Sequence, residues 1–125
     1  VVAKGKPTGV VYWAGLCPVC RREMPEIQAA FEAYGDQVNF VGIDVGLFTN
    51  LGSKQDALDM IEELGLTFPL GVTLDFNALP TYEITAVPTT FFMKPDGQTL
   101  RKESTLLSQE ALFERINTLI EHSQG

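Results

Sequence analysis

The chain has only two cysteines, Cys17 and Cys20, which stand three residues apart between an apolar run and a helical pattern. The run at 9–14 is rich in β-branched and aromatic residues without alternation, which predicts a strand buried on both faces. After the cysteines, apolar residues recur at helical spacing up to Gly35, and Pro25 is expected to kink this helix. The pair therefore predicts a strand-to-helix unit at the centre of the fold.

A second buried strand is predicted at 38–45, and a helical crossover separates it from the first. Strands joined in this way pair in parallel. A loop at 46–52 leads to Ser53, which forms a capping box with Asp56 for the next helix, and Gly65 ends that helix. The chain thus begins as a βαβ unit followed by a helix.

The second half of the chain starts less regularly, with a short helix predicted near 79–83. A Pro-Asp-Gly turn predicts an antiparallel hairpin over 89–104. Ser108 caps a final helix, with Leu107 as a hydrophobic staple against Leu112. The order βαβ, helix, ββα predicts an α/β fold with three α/β/α layers around a central mixed sheet.

Length and charge limit the class of protein. A chain of 125 residues has the length of one domain, and we expect a single domain over 1–125. Nine Lys and Arg residues against sixteen Asp and Glu residues give a net charge of −7. An acidic surface repels phosphate backbones, so we expect no nucleic-acid partner. The apolar run at 9–20 is shorter than the roughly 20 residues that cross a bilayer.

Two interpretations of the cysteine pair involve no redox chemistry. A structural disulfide would close a loop of about four residues, and the shortest loops gain the least stability in the chain-entropy model. A zinc site takes about four ligands. The chain has no other cysteine, and its one histidine, His122, lies in the polar C-terminal tail. We therefore expect no metal site.

The third interpretation is redox catalysis, which the position of the pair favours. A cysteine at the start of a helix lies beside unpaired N–H groups and the positive end of the helix dipole, which stabilise a thiolate. Cys17 is therefore the candidate nucleophile. Cys20, one turn further on, is the candidate resolving thiol that attacks a mixed disulfide and releases the product.

The segment YWAGLCPVCRREMP at 12–25 resembles the active-site segment of the thioredoxin superfamily, in its TlpA-like and ResA-like branch. The similarity continues in FPL at 68–70, in YEITAVPTTF at 82–91 and in PDG at 95–97, so it spans nearly the whole chain. The resemblance implies a thioredoxin fold and thiol-disulfide oxidoreductase activity without a cofactor. It also implies that the N-terminal β-hairpin of the family is mostly missing before Gly9.

The resemblance extends to residues around the cysteines. It implies a cis peptide bond before Pro88, whose loop would pack against the pair, and it assigns the backbone of Val87 to docking an extended substrate. It implies that Glu23 manages protons for Cys20. A solvated acid near the helix N-terminus is the simpler account of Glu23. The surface expected to face a substrate includes Leu16, Pro18 and Val19.

Two positions depart from the pattern of classical thioredoxins. Val11 stands where they carry a buried aspartate, and Leu16 stands where they carry a tryptophan. Because Val11 cannot relay protons, the role of a buried carboxylate would fall to Glu23. The loss of the tryptophan leaves a different surface beside Cys17, which makes classical thioredoxin substrates less suitable.

The resemblance also implies partners and a location. We expect an extracytoplasmic, monomeric protein, membrane-anchored through a segment absent from this chain. It would reduce protein disulfides, such as those of apocytochromes c, and be re-reduced by a membrane thiol carrier. Net oxidation or isomerisation of disulfides is the alternative within the same chemistry. A peroxidase is disfavoured because Ala14 replaces the hydroxyl residue that peroxiredoxins place three residues before their reactive cysteine. A copper-delivery module and an inert binding module are the alternatives outside catalysis.

Overall fold

A computed structural model describes residues 5–72, 77–81 and 83–123, and within these ranges the strands form one mixed sheet. The strands are β1 (Thr8–Trp13), β2 (Asn39–Asp44), β3 (Leu70–Val72), β4 (Thr89–Met93) and β5 (Thr99–Glu103). The helices are α1 (Pro18–Tyr34), α2 (Gly46–Thr49), α3 (Lys54–Leu64), α4 (Ala78–Thr81) and α5 (Gln109–His122). In this described part, no helix is both long and apolar enough to span a bilayer.

The sheet order is β3-β2-β1-β4-β5, which puts β1 at the centre. β1 pairs in parallel with β2, and β2 pairs in parallel with β3. β4 runs antiparallel to both β1 and β5, and the register of the β4–β5 hairpin shifts between Phe92 and Met93. Every residue of β1 is buried, as its uninterrupted apolar pattern predicts. The predicted parallel pairing and the predicted hairpin are both confirmed.

Alternate residues of β1 face two separate cores. Val11 and Trp13 belong to a large cluster with buried side chains of α1, α3 and α5. Val10 and Tyr12 belong to a smaller cluster with Phe91, against which Leu79 of α4 packs. Right-handed crossovers explain why α1 and α3 lie on the same side of the sheet. The predicted three layers with a central mixed sheet are confirmed.

The caps of the helices follow the sequence signals. Asp56 N–H donates to the Ser53 side chain at 3.2 Å, and Ser53 N–H donates to the Asp56 carboxylate at 2.8 Å, which completes the predicted capping box. Gly65 ends α3 with a left-handed φ of 63°. Ala111 N–H donates to the Ser108 side chain at 3.1 Å, as predicted for the last helix. α1 continues through Pro25, and the predicted kink stays a prediction.

Two elements differ from the sequence analysis. The predicted loop at 46–52 contains the single-turn helix α2, and the irregular stretch after α3 contains the edge strand β3. Both are too short to carry a periodic pattern. The short helix near 79–83 is found as α4, which starts one residue earlier and ends two residues earlier. The expectation about an N-terminal hairpin before Gly9 concerns residues 1–4 in part, and these lie outside the described residues, as do residues 73–76 and 82 of the irregular stretch.

Candidate active site

Cys17 is the N-cap of α1 and holds the first turn of the helix with its own sulfur. The Cys20 backbone N–H donates to Cys17 Sγ at 3.1 Å. Pro18 follows as the first helical residue, where its missing N–H costs nothing. Both cysteines are free thiols, with 4% of Cys17 and 0% of Cys20 exposed. The outer sulfur therefore accepts an N–H of the first helical turn, and the inner one is shielded from solvent.

The loop that enters β4 packs against the cysteine pair. The Val87–Pro88 peptide bond is cis, as the resemblance implies. Cys17 Sγ donates to the Val87 carbonyl oxygen at 3.5 Å, across 70 residues of sequence. Pro88 is buried and Val87 is half-buried. The fold thus brings Cys17 close to Val87 and Pro88, which lie far along the chain. In the sequence, only the resemblance to a known family connects these residues.

Burial controls the ionisation of the inner thiol. Desolvation raises the pKa of Cys20 well above its ordinary value, and the contact with Cys17 raises that pKa further. The hydrogen bond that the Ala14 backbone donates to the Cys20 sulfur partly opposes the shift, whereas the nearby Glu23 charge raises the pKa further. Cys20 is therefore protonated at neutral pH, and it must lose that proton before it can attack a mixed disulfide.

Glu23 is completely buried, one helical turn beyond Cys20. Its Oε2 accepts the Leu107 backbone N–H at 2.8 Å, and its Oε1 accepts the Thr90 hydroxyl at 3.3 Å. Desolvation raises the pKa of Glu23; these two donors oppose the shift and the charge of Glu103 adds to it. The interpretation of Glu23 as a solvated surface acid is therefore wrong. Its raised pKa and its position suit a group that exchanges protons with a buried thiol.

Two contacts hold the loop in front of Cys17. The Leu16 backbone N–H donates to the Leu51 carbonyl oxygen at 2.8 Å. At Gly15 the loop approaches α3 so closely that a Cβ atom would lie 2.5 Å from the Ala57 nitrogen. The first turn of α3 therefore sets the position of the residues that precede the nucleophile.

The residues expected to face a substrate differ in their exposure. The Leu16 side chain is 58% exposed, and Pro18 is also exposed. Val19 is half-buried and packs against the main core. Leu16 and Pro18 are therefore the more accessible surface beside Cys17.

No group of three or more potential metal ligands is found in the described ranges. His122 lies in the last turn of α5, where its Nδ1 is 2.9 Å from the Thr118 carbonyl oxygen. The histidine is thus placed at a helix end rather than among the residues that surround the cysteines.

Two contacts of the site were not predicted. Thr90 lies in the quoted Val-Pro-Thr-Thr motif, and that motif is the one signal that could have indicated it. Leu107 was predicted as a staple, and it does lie in the main core with Leu112. Its contact with Glu23 is made by the backbone N–H, so the residue type gives no indication of it.

The chain matches one protein family model. The model of the AhpC/TSA family matches residues 2–101. Sporulation thiol-disulfide oxidoreductase A of Bacillus subtilis (strain 168) is 29% identical over 112 residues, which cover 89% of this chain and 67% of that protein. Thiol-disulfide oxidoreductase ResA of the same strain is 24% identical over 117 residues, covering 93% of this chain and 63% of ResA.

The fold is also found among solved structures. The crystal structure of StoA from Bacillus subtilis superposes with a TM-score of 0.79 and 26% sequence identity, covering 91% of this chain and 84% of that chain. The thioredoxin fold that the resemblance implies is therefore confirmed. This chain spans less than two thirds of the length of ResA.

Proposed function

Because this chain belongs to the AhpC/TSA family, we propose that it is a thiol-disulfide oxidoreductase that reduces disulfides in extracytoplasmic proteins. The observation that carries the proposal is the Cys17 sulfur at the N-terminus of α1, with the buried Cys20 thiol one turn behind it. The names of the two Bacillus subtilis relatives support the same chemistry. The domain of residues 1–125 needs no cofactor, since the two thiols supply both electrons.

The reaction proceeds by two exchanges at sulfur. The Cys17 thiolate attacks one sulfur of the substrate disulfide, which breaks that bond and releases the first substrate thiol. Cys20 loses its proton and attacks Cys17 Sγ, which forms the Cys17–Cys20 disulfide and releases the second substrate thiol. Two electrons and two protons thus pass from the pair to the substrate.

Glu23 takes the proton from Cys20 in the second exchange. The hydrogen bonds from Thr90 and Leu107 hold its carboxylate in the buried layer beside the helix. General-base help is needed here because the pKa of Cys20 is raised by burial. Glu23 therefore serves as the buried proton acceptor. Val11 cannot serve in this role because its side chain has no ionisable group.

The loop before β4 docks the substrate. The Val87 backbone pairs with an extended substrate segment by strand addition, and Pro88 shapes the loop that presents it. The Val87 carbonyl oxygen, 3.5 Å from Cys17 Sγ, supports this arrangement. The remaining contacts beside the nucleophile come from Leu16, Pro18 and Val19.

The resemblance to the ResA-like branch supports a cellular setting for this chemistry. The substrates include apocytochromes c, and a membrane thiol carrier re-reduces the pair. The protein works as a monomer on the outer side of the cytoplasmic membrane, where a segment outside this chain anchors it. The acidic net charge of −7 disfavours a nucleic-acid partner.

The equilibrium reduction potential of the cysteine pair tests the proposal. The chain is equilibrated with glutathione buffers and followed by alkylation of free thiols and by the fluorescence of its one tryptophan, Trp13. We expect a reversible couple near or below about −250 mV, in the range of thioredoxin. Cys17→Ser is the control and should show no transition.

Other outcomes would redirect the proposal. A potential near about −120 mV, typical of strong oxidants, would favour disulfide introduction or isomerisation. Failure to form the disulfide reversibly would overturn the catalytic proposal and favour metal handling by the two cysteines.

A further inference from the structure

Asp44 is a buried carboxyl group that the proposed exchange does not use. It is the last residue of β2 and lies beside Trp13, its partner in the parallel register of β1. Only 4% of Asp44 is exposed. Its Oδ1 accepts the Gly46 backbone N–H at 2.8 Å. Because a buried carboxyl group has lost its hydration, this hydrogen bond stabilises it in place.

A chain of hydrogen bonds leads from this carboxyl group to the residue before the nucleophile. The Gly46 N–H donates to Asp44 Oδ1 at 2.8 Å. The Leu51 N–H donates to the Gly46 carbonyl oxygen at 3.2 Å, and the Leu16 N–H donates to the Leu51 carbonyl oxygen at 2.8 Å. Cys17 follows Leu16 directly. The end of β2 is therefore connected to the start of α1 through the loop at 46–52.

The loop at 46–52 is packed closely enough to act as a spacer between its two neighbours. At Gly46 a Cβ atom would lie 2.6 Å from the Gly52 carbonyl oxygen, so the two ends of the loop are in backbone contact. Asn50 closes the single turn of α2 with a left-handed φ of 58°. A Cβ atom at Gly52 would lie 3.2 Å from the Leu16 nitrogen. A shift at the end of β2 is therefore passed on to Leu16.

The position of Leu16 matters for the reaction because Cys17 caps α1 directly after it. Cys17 Sγ accepts the Cys20 N–H at 3.1 Å and lies 3.5 Å from the Val87 carbonyl oxygen. Both contacts depend on where the chain turns from β1 into α1. A displacement of about 1 Å at a reacting atom can lower a rate by about two orders of magnitude. A residue that fixes Leu16 thus acts on the nucleophile without touching it.

We propose that Asp44 is a positioning residue for the nucleophile: its Oδ1 anchors the loop at 46–52, and the loop holds Leu16 and thereby Cys17. The carboxyl oxygen acts as a hydrogen-bond acceptor, and neither a proton nor an electron passes through it. An amide oxygen at the same place is expected to serve nearly as well. The inference rests on the proposed function and adds one residue to it.

Asp44→Ala removes the acceptor and is followed by two measurements below the unfolding transition. Hydrogen exchange observed by NMR should become about fivefold faster at the Leu16 amide relative to the Thr67 amide, the factor expected for loss of one hydrogen bond. The value of kcat/KM for hydroxyethyl disulfide should fall about fivefold or more, because Cys17 is less well placed. If either measurement stays at the wild-type value, the proposal is wrong.

Asp44→Asn separates the anchoring role from an effect of charge. The amide oxygen can accept the Gly46 N–H, whereas the negative charge is lost. We expect amide exchange at Leu16 and kcat/KM both to stay within about twofold of the wild type. Losses as large as those of Asp44→Ala would assign the effect to the charge and contradict anchoring.

Gln28→Ala is the matched control, because Gln28 also uses a buried side-chain oxygen to accept a backbone N–H. Its Oε1 accepts the Thr67 N–H at 2.9 Å, and its Nε2 donates to Glu32 and to the Thr67 hydroxyl. Amide exchange should therefore become faster at Thr67 relative to Leu16, the reverse of the result for Asp44→Ala. The value of kcat/KM should stay close to that of the wild type. An equal loss of kcat/KM in the two variants would attribute it to general destabilisation and overturn the proposal.

Gly46→Ala disturbs the same chain of hydrogen bonds and leaves the carboxyl group of Asp44 in place. The added Cβ atom would lie 2.6 Å from the Gly52 carbonyl oxygen, so the ends of the loop must separate. This variant should reproduce the faster exchange at Leu16 and the lower kcat/KM, even if Asp44→Ala does not fold. Wild-type values would count against the proposal. Failure of the wild-type protein to reduce hydroxyethyl disulfide would instead overturn the proposed function, and amide exchange at Leu16 would still test the anchor.

Discussion

The surroundings of Glu23 bear directly on the second proposed exchange, in which Cys20 attacks the mixed disulfide at Cys17. Burial removes the hydration that stabilises a carboxylate. A buried carboxyl group therefore accepts hydrogen bonds that stabilise its charge, or it binds a proton more readily, which raises its pKa. Here both occur, since the Leu107 N–H and the Thr90 hydroxyl donate to it and desolvation raises its pKa. The carboxylate of Glu23 is thus more basic than an ordinary one, and it lies near the thiol of Cys20, which must give up a proton.

The substitution Glu23→Gln tests this role by removing the titration while it keeps the size of the side chain. We expect the rate at which Cys20 resolves a mixed disulfide at Cys17 to fall about tenfold or more at neutral pH, as for loss of a general base. The measurement is the release of thionitrobenzoate from Cys17 in single turnovers across pH 5 to about 9. The variant should also lose the acidic limb of the wild-type profile.

A purely electrostatic role for Glu23 gives the opposite result. Its negative charge helps to raise the pKa of Cys20, so removing that charge would lower this pKa and speed the release at neutral pH. A faster variant, or one whose profile matches that of the wild type, would contradict proton transfer by Glu23. Thr90→Val, which removes the hydroxyl donor and keeps the carboxyl group, should shift the profile without abolishing the acidic limb.

At this scale the sequence predicted the residues that a motif marks and missed those that only the fold brings close. Cys17, Cys20 and Pro88 follow from short patterns whose chemistry depends on the residue type. Thr90 and Leu107 reach Glu23 across 67 and 84 residues. One of them contributes a backbone group, and no local pattern encodes such a contact.

Among the elements, α3 has a function that its position in the sequence does not suggest. Its first turn is closed by the Ser53 and Asp56 capping box, and it lies directly under Gly15 in the loop before the nucleophile. A Cβ atom on Gly15 would lie 2.5 Å from the Asp56 carbonyl carbon. The backbone of α3 therefore sets the position of the loop before Cys17. Only a glycine at position 15 allows the two backbones to come this close.

Gly15→Ala is expected to force the loop and α3 apart and to destabilise the protein by about 1–3 kcal/mol, as overpacking against backbone does. Because Leu16 and Cys17 follow directly, disulfide exchange should also slow in the part of the protein that stays folded. Urea denaturation gives the free energy of unfolding, and thiol-exchange kinetics at low urea give the second effect.

Gly71→Ala is the matched control for this substitution. No atom lies within 4 Å of a Cβ at Gly71, and its φ is not in the left-handed region. The free energy of unfolding and the exchange rate should both stay close to those of the wild type. Equal effects of the two substitutions would show that the contact with α3 is not what Gly15 preserves.

Prediction of the elements succeeded where side chains mark the ends and failed where they do not. The capping box of α3, the Ser108 cap and the β4–β5 hairpin all carry turn or cap residues. α2 has four residues and no side-chain cap, and β3 has three residues at the edge of the sheet. Tertiary pairing with β2, rather than local sequence, makes β3 a strand.

For the whole molecule, buried carboxyl groups link stability to pH. Desolvation raises the pKa of Glu23 and of Asp44, although the Gly46 N–H partly compensates Asp44. The folded state then binds more protons than the unfolded chain at pH values above the ordinary pKa of these groups. Their contribution is fully present below that value and is lost as pH rises through the raised pKa.

The difference in unfolding free energy between wild type and Glu23→Gln isolates one of these groups. Both proteins are kept reduced. We expect the stability of the wild type relative to Glu23→Gln to fall as pH rises from 4.5, the ordinary pKa of a glutamate, toward neutrality. Urea denaturation at a series of pH values measures it. A difference that is constant with pH would contradict the raised pKa.

Glu103 provides a control, because its pKa shift and its effect on the pH dependence of stability have the opposite sign. Partial burial tends to raise its pKa, but the pairs with Arg101 and Arg115 outweigh this and lower it. A lowered pKa contributes stability that is present above the ordinary value and is lost as pH falls. The wild-type advantage over Glu103→Gln should therefore grow as pH rises from acid to neutral.

The Cys17 sulfur caps α1 and is also the proposed nucleophile. A sulfur in a neutral disulfide is a weaker hydrogen-bond acceptor than a thiolate. A mixed disulfide at Cys17 therefore weakens the hydrogen bond from the Cys20 N–H, whereas the Cys17–Cys20 disulfide ties the same turn of the 17-residue helix covalently. If the chain performs the proposed exchange, the first turn of α1 is held less tightly in the mixed disulfide than in the intramolecular disulfide, so one helix end would respond to the redox state of the pair.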